Sequence, residues 1–461
     1  MPLIKSISGI RGTIGGRPGE SLTPVDIVKF SSAYGTWLGR RHRGKRLMVV
    51  IGRDARRSGS MVSSLVSNTL RSLGIDVTDI GLASTPTVEM AVTGTGANGG
   101  IIITASHNPA EWNALKLLNE KGEFLSASDG NELLIIAESE DFSYVPLDET
   151  GSYVHDDSWS RIHIEQVLAL NLVDRKAVAN AGFTVAVDCV NSVGGIIVPA
   201  LLKSLGVKNI VELNTTPDGH FAHNPEPLPA NLGEISSLTA SSGADVGFVV
   251  DPDVDRLAII CEDGSMFGEE YTLVAVSDYV LAVTPGNTVS NLSSTRALKD
   301  ITEKHGGQYF TAMVGEVNVV EEMKKRGAVI GGEGNGGVIY PALHYGRDAV
   351  AGIALFLSHL ALSGMKCSEL RKTYPDYFMA KKKLDLPEGI SFQRILDSVR
   401  EDFAGHEMDE RDGMRIECGN GWVQVRKSNT EPVMRVYAEG PTPEEAEGLA
   451  DRVIEIVKKV K

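Results

Sequence analysis

Cysteine is scarce, four among 461 residues, and Cys189, Cys261, Cys367 and Cys418 form no CxxC pair or dense spacing. That excludes a disulfide scaffold and a zinc knuckle and predicts reduced thiols in a packed interior. No long hydrophobic run is present either. The most apolar stretch, 349–362, is interrupted by Gly352, Ser358 and His359. It falls short of the roughly 20 residues a membrane span needs and predicts a buried helix. The opening MPLIKSISGIRG lacks an apolar segment ahead of a small-residue cleavage site, so the expected location is the cytoplasm. Basic residues are in deficit, 45 against 60 acidic, for a net charge of -15. Such a surface repels polyanions and excludes nucleic acid and anionic membranes as partners, so an anionic ligand has to meet a local basic cluster. The densest basic run, residues 40–46, precedes an apolar strand and reads as a solvated loop.

What is present is an ordinary globular composition, 42% apolar and 23% charged, in a chain too long for one core. Short β-branched runs recur after helical patterns: MVVIG at 48–52, IIIT at 101–104, TVAVD at 184–188, VGFVVD at 246–251 and AVIGG at 328–332. Strands alternating with helices imply α/β layers with sheets buried on both faces. Stretches of this kind lie near 45–135, 180–260 and 285–365. The last ninety residues differ: LDLPEGISFQRILDSVRE reads as strand then helix, GWVQVRKS and PVMRVYAEG as a strand pair, and TPEEAEGLADRVIEIVKKV as a helix capped by Thr442. They predict a smaller α+β unit. Ligands of α/β sheets bind beyond the carboxyl ends of strands, which directs attention to four loops.

After GGIIIT comes ASHNPAEWNALK. Ser106, beside His107, lies in a turn where Asn108 suits an N-cap and Pro109 a first helical position, so the amides that follow can face an anion. A turn serine bonded to backbone fits this stretch equally. DPDVDR at 251–256 sets Asp251, Asp253 and Asp255 at alternate positions after an apolar strand. Three carboxylates repel one another unless a hard cation joins them, and Mg²⁺ with an open coordination position suits them better than an EF-hand calcium; the alternative is a solvated acidic turn. RKSNTEPVMR at 426–435 offers Arg426, Ser428, Asn429 and Thr430, equipment for gripping a phosphate or for joining two strands. GGEGNGG at 331–337 brings backbone close to a ligand and leaves Glu333 and Asn335 as its polar groups, without the spacing of a nucleotide loop. Arg11, flanked by glycines in GIRG, suits a close approach to phosphate. Arg53, Arg56 and Arg57 read instead as partners of nearby acids.

In this order, TASHNP, DPDVDR, GGEGNGG and RKSNTEP resemble the four active-site loops of the α-D-phosphohexomutase superfamily, over nearly the whole chain. The resemblance implies four domains around a central cleft: three α/β domains with mixed sheets, at 1–155, 156–260 and 261–370, and a smaller α+β domain at 371–461. It implies a phosphoserine at Ser106 and Mg²⁺ on Asp251, Asp253, Asp255 and the serine phosphate. It further implies catalytic roles for His107, Lys116, Arg11 and Arg256, sugar contacts from Glu333 and Asn335, and a phosphate grip from Arg426, Ser428, Asn429 and Thr430. The implied reaction interconverts hexose 6- and 1-phosphates through a bisphosphorylated sugar, which also serves as activator. Glucose and mannose mutases of bacteria usually carry histidine where this chain has Gly337. GEGNGG followed by VIYP, with WNALKLLNEKG, is more similar to phosphoglucosamine mutases. Glucose or mannose phosphates are the alternative substrates and a sugar phosphatase the remote one; oligomeric state is not legible.

Overall fold

A computed structural model describes residues 3–6, 9–385, 390–427 and 433–460. Four sheets follow one another along the chain. The first has seven strands in the order Ile4–Ser6, Gly9–Thr13, Trp112–Leu118, Gly99–Ile103, Met48–Arg53, Asp76–Leu82 and Tyr153–His155. Its central strands are apolar at successive positions because both faces are covered. Val49, Ile51, Ile101 and Ile103 pack into one core, while Val50 and Ile102 point into another on the opposite side.

The second sheet orders Leu257–Cys261, Val246–Val250, Thr184–Asp188 and Asn209–Leu213; the third orders Tyr309–Ala312, Asn287–Asn291, Ala328–Glu333 and Gly337–Ile339. Each is parallel except for one strand that turns straight back, which pairs Val250 with Leu257 and Glu333 with Gly337. The loops 251–256 and 334–336 are therefore closed at their bases by paired backbone. The fourth sheet, Phe378–Asp385, Val433–Gly440, Gly421–Lys427, Met414–Cys418 and Met408–Asp409, is antiparallel and backed by the helices Phe392–Asp402 and Pro443–Lys459. The expected class, three mixed α/β layers and a smaller α+β unit, is what folds. Thr442 caps the last helix as its sequence predicts, accepting from Glu445 N–H at 3.2 Å.

The second and third sheets share a single hydrophobic core. Phe356, on the largely buried helix Ala349–Ser363, meets Phe248 and Phe267 edge-on, with ring centroids 6.0 and 5.2 Å away. The loops at 251–256 and 334–336 thus ride on one rigid block. No helix of the described residues is long and apolar enough to cross a membrane. The basic run is only partly a loop: Arg40 and Arg41 end the helix Pro24–Arg41 and pair with Asp141, Asp129 and Glu132.

A buried polar chain joins this block to the first sheet. Asp348 accepts from His163 Nε2 at 2.8 Å and from His344 Nε2 at 3.2 Å, and His344 Nδ1 lies 3.3 Å from Glu89 on the helix Thr85–Thr95. Burial alone lowers the His344 pKa, but the contacts with Asp348 and Glu89 outweigh it and carry it from 6.5 up to about 10. A raised pKa stabilises the fold fully below pH 6.5, and that contribution is lost as pH rises towards 10. His344→Gln is expected to cost on the order of 2 kcal/mol at pH 7. In thermal unfolding, the gap to wild type should narrow as pH approaches 10. A gap that stays constant with pH would rule out a charged His344.

Candidate active site

Ser106 leaves the strand Gly99–Ile103 through Thr104 and Ala105, with φ at +50°, a left-handed backbone that few residues other than glycine adopt. Two supports hold it there. Its N–H donates to Thr104 Oγ1 at 2.9 Å, and Thr104 Oγ1 donates to Asp54 at 2.6 Å. The guanidinium of Arg56, 1% exposed, donates to the carbonyls of Ser106, Asn108, Pro109 and Trp112 at 2.5, 2.6, 2.6 and 3.0 Å. No helix follows, contrary to the Asn108–Pro109 signal. The chain enters the strand Trp112–Leu118, which is buried throughout and lies between the strands Gly9–Thr13 and Gly99–Ile103. Completing the sheet centre outweighs the local cap preference, so no helix N-terminus faces Ser106. Attraction for an anion has to come from side chains.

Ser106 Oγ donates to Asp251 Oδ2 at 2.8 Å and lies 3.3 Å from His107 Nδ1. Asp251, Asp253 and Asp255 are fully buried, with one oxygen of each within 4.8 Å of the others. Val254 between them takes φ +60°, costly for a β-branched side chain and tolerated here in a loop pinned at both ends. Asp251 is pushed well above the usual carboxylate range by burial and by the charges of Asp255 and Asp253. Asp253 moves the other way despite its burial, held down by Lys116 and by the Thr85 hydroxyl at 2.6 Å. Asp253 Oδ1 and Asp255 Oδ1 are buried and accept no hydrogen bond among the described residues. Two buried oxygens without a partner, in a group of three carboxylates within 4.8 Å of one another, are the donor set a hard divalent cation fits.

Cations surround this cluster. Lys116 Nζ is 2.7 Å from Asp253 and 3.7 Å from Asp255, which keep it charged in spite of its burial. Arg11, 6% exposed, donates to Asn108 Oδ1 at 3.0 Å, and burial lowers its pKa to about 10. Arg256 donates its N–H to Asp251 at 3.1 Å and sits 3.6 Å from Glu226, which also lies 4.0 Å from His107 Nε2. The imidazole of His107 is held well below its ordinary pKa by burial, Arg256 and Arg11.

Glu333 ends its strand with the carboxylate buried: Oε1 accepts from Asn291 at 2.8 Å and from Gly315 N–H at 3.0 Å, and Oε2 from Arg347 at 2.6 Å. Asn335, half-buried, accepts from Gly337 N–H at 3.2 Å. The structure thus gathers Ser106, His107, Lys116, Arg11, Arg256, the three aspartates and, through Arg347, Glu333. Arg426 stands apart on the fourth sheet. It is 5% exposed, its guanidinium donates to Lys427 O at 3.2 Å, and among the described residues it has no hydrogen bond to the serine or aspartate loops. Ser428, Asn429 and Thr430 lie outside the described residues. The fourth sheet docks on the third unit: Ser293 Oγ donates to Gln424 at 2.6 Å, Arg415 to Leu292 O at 2.5 Å, and Arg296 N–H to Glu439 at 3.0 Å.

Two arginines do more than the sequence assigns them. Arg56 does pair with Asp54, as expected, yet its larger task is shaping the serine turn. Arg347 gave no signal beyond its place one residue before Asp348, the N-cap of an apolar helix.

A hydroxyl on a buried carboxylate triad ringed by lysine and arginine is equipped for phosphoryl transfer, where positioning and charge neutralisation dominate. Family models agree with that class along the chain. Those of phosphoglucomutase/phosphomannomutase α/β/α domains I, II and III match residues 4–144, 161–264 and 268–377, and that of the C-terminal domain matches residues 383–456. The chain belongs to the phosphoglucomutase/phosphomannomutase family, the phosphohexomutases. It is 36% identical over 454 residues to the phosphoglucomutase/phosphomannomutase of Thermococcus kodakarensis, covering 97% of this chain and 98% of that one. It is 33% identical over 457 residues to the probable phosphoglucosamine mutase of Methanopyrus kandleri, covering 98% and 97%. A solved phosphoglucomutase/phosphomannomutase family protein from Burkholderia thailandensis superposes with a TM-score of 0.85 at 27% identity, covering 99% and 98%.

Proposed function

We propose that this phosphohexomutase converts glucosamine 6-phosphate to glucosamine 1-phosphate, with a phosphoserine at Ser106 and a bisphosphorylated sugar as intermediate. The observation that carries the reading is the placement of Ser106 Oγ 2.8 Å from Asp251, in the carboxylate cluster whose Asp253 holds Lys116 at 2.7 Å. Mg²⁺ held by Asp251, Asp253, Asp255 and the serine phosphate would supply neutralisation of phosphoryl charge. The residues of the chain do the rest. Ser106 passes its phosphoryl group to a sugar hydroxyl, whose proton leaves to a base at the cleft, a neighbour of Lys116 rather than Lys116 itself, which Asp253 and Asp255 hold charged; the bisphosphate turns over and returns its other phosphate to Ser106. Arg11 and Arg256 bear on the phosphoryl oxygens, and His107 packs against the Ser106 hydroxyl. Glu333 and Asn335 address the sugar, while Arg426, Ser428, Asn429 and Thr430 grip the phosphate at rest.

Similarity to a relative named as a phosphoglucosamine mutase favours the amino sugar. The relative named for glucose and mannose keeps those phosphates as the second reading. The deciding measurement is kcat/KM on the 1-phosphates of glucosamine, N-acetylglucosamine, glucose and mannose, with a trace of sugar bisphosphate and an assay for inorganic phosphate. Release of phosphate in step with sugar consumption would mean a phosphatase. Arg426→Ala is expected to cost ten- to a hundredfold in kcat/KM, as loss of a charged phosphate contact does, and to a similar degree on every sugar accepted. A loss confined to one sugar would move Arg426 from phosphate grip to sugar recognition.

A further inference from the structure

Arg347 holds three carboxylates from three separate elements. Its Nη2 donates to Asp255 Oδ2 at 2.7 Å in the aspartate loop, and its Nη1 to Glu333 Oε2 at 2.6 Å at the end of the sugar-loop strand. Nε is ion-paired with Glu316 Oε2 at 3.0 Å at the start of the helix Glu316–Arg326, and the backbone N–H of Arg347 donates to Glu316 Oε1 at 3.3 Å. The next residue anchors the arginine from behind: Asp348 N–H donates to Val338 O at 2.8 Å, and its carboxylate is held by His163 and His344. The stem of Arg347 lies over Gly337. A Cβ there would sit 2.3 Å from Arg347 Cδ and 3.1 Å from Asn335 Oδ1. Gly337 has no left-handed φ, so space rather than backbone conformation asks for glycine. The Cδ cannot swing aside cheaply, because the guanidinium beyond it is fixed by three acids.

We propose that Arg347 is a positioning residue, a shared counter-ion that sets Glu333 and Asp255 at a fixed separation, and that Gly337 exists to seat it. The inference rests on the reading of Asp255 as a cation ligand and Glu333 as a sugar contact. It has a consequence that a merely structural arginine would not have. A guanidinium on Asp255 competes with any divalent cation for that carboxylate, so removing it should strengthen cation binding while weakening turnover.

The test uses the full-length protein with Arg347→Met, Arg347→Lys, Gly337→Ala and the Gly337→Ala/Arg347→Met pair. Mn²⁺ titration followed by electron paramagnetic resonance, without substrate, reads cation affinity. Thermal unfolding reads the fold, and kcat and KM are measured on the best hexose phosphate. Arg347→Met is expected to bind Mn²⁺ at least about threefold more tightly, and to lose ten- to a hundredfold in kcat/KM. Arg347→Lys keeps the charge but cannot span both carboxylates, so it should lose kcat/KM nearly as far with Mn²⁺ affinity close to wild type. Gly337→Ala should impair turnover alone and cost nothing further once Arg347 is Met. Weaker or unchanged Mn²⁺ binding in Arg347→Met overturns the counter-ion role, and so does full activity of Arg347→Lys. Equal costs of Gly337→Ala in both backgrounds overturn the seat. Should Arg347→Met fail to fold, Arg347→Gln takes its place in the Mn²⁺ titration and in the pair with Gly337→Ala, and the same outcomes decide. The Mn²⁺ titration needs no turnover, so a protein inactive on every hexose phosphate would fail the functional reading and leave this one to be judged separately.

Discussion

Ser106→Gly is expected to fold as the wild type does and to lose hexose-phosphate interconversion by about 10⁴-fold or more, because it removes the hydroxyl assigned to carry the phosphoryl group. Glycine is the substitution of choice because Ser106 sits at φ +50°, where alanine adds strain of its own. The turn should survive. Its remaining bonds, from Ser106 N–H to Thr104 and from Arg56 to the Ser106 carbonyl, involve backbone that glycine retains. What disappears is the Oγ, the hydroxyl that donates to Asp251 Oδ2 at 2.8 Å. Peptide mapping of the wild-type protein after incubation with sugar bisphosphate should find phosphate on Ser106 and on no other serine. Retention of a tenth of the activity in Ser106→Gly, or phosphate mapped to a different residue, would end the phosphoserine reading.

The sequence made this serine and the aspartate triad visible for the same reason. Both follow strands so apolar that an abrupt cluster of polar groups needs an explanation, and IIIT and VGFVV do form the buried strands Gly99–Ile103 and Val246–Val250. Where local signals misled, a non-local partner was responsible. Asn108 and Pro109 announce a helix, but the stretch after them is the third strand of a seven-stranded sheet, and its neighbours come from residues 9–13 and 99–103. The strands Gly9–Thr13, Asp76–Leu82 and Asn287–Asn291 escaped notice because glycine, aspartate and asparagine blur their alternation. Arg347 was illegible in a deeper sense. Its meaning depends on Asp255, 92 residues away, and on the missing side chain of Gly337. The common core of the second and third units was equally out of reach, since periodicity reports which face is buried and not what buries it.

Removal of divalent ions should abolish activity, and Asp253→Asn should cut kcat by about 10³-fold even with Mg²⁺ restored. The effect is large because Asp253 does two things at once. Its Oδ2 holds Lys116 and Thr85, while its Oδ1 is buried with no partner among the described residues, an arrangement costly in the protein alone and repaid when a cation binds. Asparagine keeps the shape and can still accept from Thr85, but it removes the charge that balances Lys116 at 2.7 Å and attracts the ion. The fold should not suffer in proportion. One buried negative charge fewer relieves the repulsion within the triad, and Lys116 retains Asp255 at 3.7 Å. Ion binding to the native state raises the unfolding midpoint by mass action, so Mg²⁺ should stabilise the wild type and do so weakly or not at all in Asp253→Asn. The two readouts together separate a metal site from an acidic structural cluster. A cluster that only braces the loop would show loss of stability with no dependence on Mg²⁺. If chelator-treated wild type turns over at its full rate, and its unfolding midpoint ignores added Mg²⁺, the triad is not a cation site, whatever its geometry allows.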